Sequence, residues 1–178
     1  MLRLFTCVWV PTHIRQKIVE LQEEMKNLPI KTKFVETENL HLTVTFLGNK
    51  NENELETLKN KLDESVKNVR KFHVVLEGLK VIPNENYIRV IGIQVVSKEM
   101  ENLIKKVAEL IDGNYHETTK LTLCRVKKLF DKKILKNFIE KNRHIKIGEF
   151  EVQSVALVKS SLTRQGPIYE TIHESFLK

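Results

Sequence analysis

The elements implied by the sequence run twice through one pattern, and this repetition constrains the fold more than any other feature. Residues 2–10 read as an opening β-strand ending at Pro11. In the first half, Ile14, Ile18, Leu21 and Met25 then recur at helical spacing after Thr12, and the apolar, β-branched run Leu40 to Leu47 stops at Gly48-Asn49. Leu55, Leu58, Leu62, Val66 and Val69 predict a second amphipathic helix, and residues 72–82 and 87–96 two strands around a Pro-Asn-Glu-Asn turn. The second half repeats this. Met100, Leu103, Ile104, Val107 and Leu110 predict a helix, residues 120–126 a strand, and Ile134, Leu135, Phe138 and Ile139 a shorter helix. Residues 149–159 and 168–177 close the chain as two strands around Gly166-Pro167. Such an order predicts two similar lobes about a pseudo-twofold axis. No Pro/Gly/Ser-rich linker parts them, so one domain over residues 1–178 is expected.

Within the repeat, each half carries one four-residue phrase, HLTV at 41–44 and KLTL at 120–123. Side chains alternate along a strand, so His41 and Thr43 share one face and Leu42 and Val44 the other. Lys120 and Thr122 are set apart from Leu121 and Leu123 in the same way. If the lobes face each other, the two polar pairs meet across one cleft. Histidine is an acid or base near neutral pH, and threonine hydroxyls donate to phosphate oxygens. One His-x-Thr in a strand is usually without function; two matched phrases in matched places are far more specific. The remaining histidines have no partner phrase and read as surface or core residues. Only His116, in the loop before Lys120, is close enough in sequence to reach the cleft.

Composition adds little. The chain holds 30 Lys+Arg against 23 Asp+Glu, a formal charge of +7. This suits an anionic partner such as nucleic acid, and equally a solvated lysine surface. Cys7 and Cys124 each sit in an apolar run, which fits buried reduced thiols in a cytosolic protein, although a disulfide stays open. No Cys/His cluster has metal-ligand spacing. No run approaches the ~18 apolar residues of a membrane span, and residues 1–10 lack the features of a signal peptide. No long apolar stripe is left over, so a monomer is expected.

The segments RLFTCVWVP near the start, ENLHLTVTFLG at 38–48, FHVVLEGLKVIPN at 72–84, LTLCRVK at 121–127 and SSLTRQGPIYE at 160–170 occur in order along nearly the whole chain. Together they resemble the LigT-like 2′-5′ RNA ligase and RNA 2′,3′-cyclic phosphodiesterase branch of the 2H phosphoesterases. The resemblance implies an α+β, bilobal fold, with two pseudo-twofold-related lobes of antiparallel sheet, outer helices and a central cleft. It implies cytoplasmic, cofactor-free and metal-independent chemistry on RNA ends, tRNA halves among them. The reaction is opening of a 2′,3′-cyclic phosphate to a 2′-phosphate, or reversible 2′-5′ ligation. By position His41 is the first motif histidine, Thr43 and Thr122 are phosphate-contacting threonines, and Arg125 is a phosphate or nucleotide contact. Phe46 falls in the first motif's apolar tail and is expected in the core.

The chain departs from the family at Lys120, where the second motif histidine belongs. An ordinary lysine titrates near ~10.4, so it is a charged donor and a poor base. It fits stabilising a phosphorane, holding phosphate, or protonating a leaving oxygen. Service as a base requires a value lowered by burial or by a neighbouring cation such as Arg125. The family's second histidine is the one assigned to activate water, which makes hydrolysis the step most exposed to this change. Two classes of function follow: an enzyme acting on RNA ends or small cyclic nucleotides, and a non-catalytic binder of RNA termini.

Overall fold

A computed structural model describes residues 1–116 and 120–178. The opening strand β1 is Leu2–Trp9, and the helix α1, Thr12–Met25, buries Ile14, Ile18, Leu21 and Met25 as its periodicity predicts. Next come β2 (Ile30–Phe34), β3 (His41–Lys50), α2 (Leu55–Val66), β4 (Phe72–Asn84) and β5 (Tyr87–Val96). The second half supplies α3 (Lys98–Ile111), β6 (Lys120–Leu129), α4 (Lys132–Lys141), β7 (Lys146–Val152), β8 (Ser154–Leu162) and β9 (Pro167–Phe176). Helix α3 starts on Ser97, whose hydroxyl accepts from the Met100 N–H, and α4 starts on Asp131, whose carboxylate accepts from the Ile134 N–H.

The strands form one antiparallel path in the order β7-β4-β5-β6-β3-β1-β8-β9, with β2 also paired to β6. One lobe is β4 to β7 and the other is β1, β3, β8 and β9. Among the described residues they join at a single registered pair, Leu42 of β3 opposite Leu121 of β6. Helix α1 packs on β7, while α2 and α3 pack on each other and against β3, β8 and β9. A continuous apolar core runs beneath both lobes and includes fully buried Leu42 and Leu121. The helices cover one face of the sheet and leave the other open.

Two features differ from the sequence reading. The segment read as a loop after α1 contains β2, whose alternating Ile30-Lys-Thr-Lys-Phe34 is too short and too charged to announce a strand; its partner lies about a hundred residues onward. The run 149–159 is two strands, divided at Gln153 with neither Gly nor Pro to mark the break. That break shapes the molecule. β7 and β8 are consecutive yet lie far apart in the strand order, so the sheet must curl into a half-barrel for one residue to connect them. The same edge is tied by the Lys71 N–H donating to the Lys178 carbonyl and the Lys178 N–H to that of Val69.

Candidate active site

The Leu42–Leu121 pair turns both leucines into the core. Strand alternation therefore directs their neighbours, His41 and Thr43 on β3 and Lys120 and Thr122 on β6, onto the open face beside the lobe junction. All four are partly buried. The backbone register thus places both polar pairs on one face of the sheet beside the lobe junction.

The two strands share a second device. Opposite β1, Cys7 pairs with Thr43 and Thr6 with Thr45, so Val44 is an extra residue. Opposite β5, Gly92 pairs with Thr122 and Ile91 with Cys124, so Leu123 is extra in the same place. Each bulge reverses the phase of its strand. Arg125 would otherwise point into the core with Leu121; instead it is exposed on the face of Thr122, because their partners Val90 and Gly92 are two residues apart on β5. The bulge at Val44 likewise turns Thr45 inward and Phe46 outward. Phe46 is 42% exposed and meets His116 edge-on, with ring centroids 5.4 Å apart. The core placement expected for Phe46 is thus corrected, and among the contacts of its ring His116 serves that aromatic edge.

Buried polar groups hold both bulges. The Thr6 hydroxyl accepts from the Thr45 N–H at 3.1 Å, and the two threonine hydroxyls are bonded at 2.8 Å. In the other lobe the Gln22 side-chain amide, from α1, donates to the carbonyls of Leu123 at 3.1 Å and Val35 at 3.0 Å. Gly92 lets β5 approach β6 closely: a Cβ there would lie 2.6 Å from the Leu121 carbonyl oxygen.

His41 is set for one tautomer. Its Nδ1 lies 2.6 Å from the Asn39 carbonyl oxygen, which can only accept, so Nδ1 carries the proton. Nε2 is then a free lone pair, 3.1 Å from the Thr43 hydroxyl that donates to it. Burial lowers the His41 pKa, outweighing the Asn39 bond that favours the cation, and so favours the neutral ring. Asn39 is itself fixed by donating its side-chain amide to the Pro167 carbonyl at 3.0 Å.

Around the imidazole lie Phe5, Tyr169 and Trp9, at centroid distances of 5.2, 5.5 and 5.8 Å. The Trp9 indole N–H donates to the Thr171 hydroxyl, which holds the ring. The sequence reading did not single out these three. The alternation Phe5-x-Cys7-x-Trp9 carried a signal that they share a face, whereas Tyr169 reaches His41 only through the β8–β9 pairing.

The Lys120 amine is held below the ordinary lysine value by burial, and further by the charges of Lys80 and Arg125. Lys80 reaches this spot because it pairs with Gly92, which in turn pairs with Thr122. With no side chain on Gly92, one row across three strands joins Lys80 to the Thr122 position. The open face thus offers an imidazole, an amine, two hydroxyls and a guanidinium, a set suited to an anion that gains and loses protons on opposite sides. Among the described residues no group of three His, Cys, Asp or Glu side chains is arranged to hold a metal ion.

The LigT like Phosphoesterase family model matches residues 8–92. The chain is 38% identical over 178 residues to the RNA 2′,3′-cyclic phosphodiesterase of Methanocaldococcus jannaschii, covering 97% of this chain and 99% of that one. It is 36% identical over 175 residues to the protein of the same name from Aquifex aeolicus, covering 91% and 92%. Among solved structures, a Thermus thermophilus protein superposes with a TM-score of 0.81 at 26% identity over 98% of this chain and 97% of that one. Escherichia coli LigT complexed with 3′-AMP superposes at 0.76 and 19% identity over 99% and 98%, a likeness of fold. With the relatives aligned end to end and the half-barrel shared, the chain belongs to the LigT-like phosphoesterase family, within the 2H phosphoesterases.

Proposed function

We propose that the chain, acting as one bilobal unit over residues 1–178, opens RNA 2′,3′-cyclic phosphate ends with water to give 2′-phosphates, with a 5′-hydroxyl in reversible 2′-5′ ligation, or both. The carrying observation is the Leu42–Leu121 register, which sets His41, Thr43, Lys120 and Thr122 on one face. The names of the relatives supply the substrate class. Cytoplasmic placement rests on the two buried free thiols, Cys7 and Cys124.

The His41 tautomer and the surroundings of Lys120 support an assignment of roles that differs from the one carried by the resemblance. His41 keeps its proton on Nδ1 and leaves the Nε2 lone pair as an acceptor, so it serves as the base and takes the proton of the attacking water. Burial and the charges of Lys80 and Arg125 make the Lys120 proton easier to give up, and Lys120 is assigned as the acid. As the water oxygen bonds to phosphorus, the bond from phosphorus to the 3′ oxygen breaks and the Lys120 ammonium protonates that oxygen. Products are the 2′-phosphate and a free 3′-hydroxyl. Thr43 rotates its hydroxyl from His41 Nε2 to a non-bridging phosphate oxygen, which frees the nitrogen as substrate binds; Thr122 and Arg125 hold the remaining charge. On this assignment lysine at 120 is a competent partner, because the step asks it to give up a proton.

The test is turnover of a nucleoside 2′,3′-cyclic phosphate, with the product isomer identified. The chain should yield the 2′-phosphate, and His41→Ala should be slower by ~10²–10⁴-fold. Equal rates would remove His41 from the reaction. A non-catalytic binder, the competing class, would bind the product yet leave the cyclic phosphate intact.

A further inference from the structure

The ladder between β2 and β6 places like charges face to face. Lys33 is registered opposite Arg125, and Lys31 opposite Lys128. Directly opposed like charges destabilise a sheet unless something compensates. None of the four has a carboxylate within 4.0 Å among the described residues, whereas lysines of the helices pair with glutamates one turn away. Arg125 shares the face of Thr122, and Lys33 and Lys31 follow on that face by alternation, so the row leads straight out of the candidate active site.

At its far end the row meets exposed aromatics. Phe130 is 62% exposed, with the Lys128 amine over its ring at 5.1 Å. Tyr87 is 60% exposed, with the Arg89 guanidinium over its ring at 5.6 Å. The Lys132 amine donates to the Asn86 carbonyl at 3.1 Å, tying the start of α4 to the β4–β5 turn and so bringing the two aromatics to one end.

We propose that this strip is a track for the body of a single-stranded RNA whose terminal phosphate sits at His41 and Lys120. The inference deepens the proposed function and rests on it. Phosphates along the track supply the missing counter-charge, and unstacked bases find Phe130 and Tyr87. The ten residues of β6, Lys120–Leu129, extend roughly 30 Å, on the scale of the lower single-strand site sizes of about four nucleotides. A single strand fits better than a duplex, whose stacked bases cannot reach the aromatics, and better than a lipid surface, which cannot follow the inner wall of a curled sheet.

The experiment compares two probes bearing a 2′-phosphate, an oligoribonucleotide of about eight nucleotides and a mononucleotide. Binding is followed across a salt series for the full chain, for K31E/K128E and for Phe130→Ala. The double variant should weaken the oligonucleotide about ten-fold more than the mononucleotide, and the slope of log affinity against log salt should shrink by about two. Phe130→Ala should weaken the oligonucleotide with its salt slope unchanged. Equal effects on both probes, or tighter binding of duplex RNA or of anionic vesicles than of the single strand, would overturn the track. Track-dependent binding without any opening of a cyclic phosphate would uphold the track and discard the hydrolase reading.

Discussion

The side-chain amide of Gln22, carried by α1, donates to the main-chain carbonyl of Leu123, the bulge residue of the second motif strand. The bond is buried, and it couples a helix on the covered face to the strand segment that aims Thr122 and Arg125. The Thr6–Thr45 pair does the same for the bulge at Val44.

Replacing Gln22 with Leu removes both amide bonds and leaves carbonyl lone pairs unmet, at a cost of about 1–3 kcal/mol. Thr6→Val should cost a similar amount. Denaturant unfolding measures both. If the bulges position the reacting groups, kcat should fall further than KM rises, and an unchanged Gln22→Leu protein would show that the amide holds nothing.

The assignment of base and acid predicts the pH profile. The His41 pKa is depressed by burial, so activity should persist as pH falls through the ordinary histidine value near 6.5 and be lost below it. The unfolded chain takes up that proton first, so stability declines over the same acid window, from the unfolded value down through the folded one. The alkaline limb belongs to Lys120, and lies below the ordinary lysine value of 10.5 because of burial, Lys80 and Arg125. In Lys120→His this limb should move toward neutrality. An identical alkaline limb in the two proteins would rule out Lys120 as the acid.

Thr122 and Arg125 are assigned to the phosphate. A hydrogen bond to a charged group contributes about 1.5–3 kcal/mol, equivalent to roughly 10–150-fold in rate. Thr122→Val and Arg125→Ala should each lower kcat/KM for a cyclic phosphate within that range. Thr122→Val should do so with the fold intact by circular dichroism, and full activity would move the phosphate elsewhere on the face.

Gly92 sits where β5 presses on β6. A methyl group there would meet the Leu121 carbonyl oxygen at 2.6 Å, and because the atoms it meets are all backbone of β6, no flexible side chain is there to yield. Gly92→Ala should cost about 1–3 kcal/mol of stability and spread the strand beside Thr122. Thermal unfolding measures the first effect and turnover the second; a variant equal to the parent in both would show that the strands can part without harm.

Much of this protein was legible in its sequence. Periodicity revealed the four helices, because amphipathic spacing in a helix is a local property. The rhyme of HLTV with KLTL revealed the two motif strands and which residues share a face, because alternation along a strand requires only the strand. The family followed from ordered segments along the chain. Register, curl and phase were not legible. That Leu42 lies opposite Leu121, that β2 lies along β6, and that Gln153 divides two strands of opposite lobes all depend on partners distant in sequence. The bulges are the sharpest case. Plain alternation sends Arg125 inward with Leu121, and only the pairing of β6 with β5 shows the extra residue that turns it out. Sequence by itself determined which groups the proposed chemistry draws on. Tertiary structure decided which way they point and, through burial and neighbouring charge, in which direction the pKa values of His41 and Lys120 move.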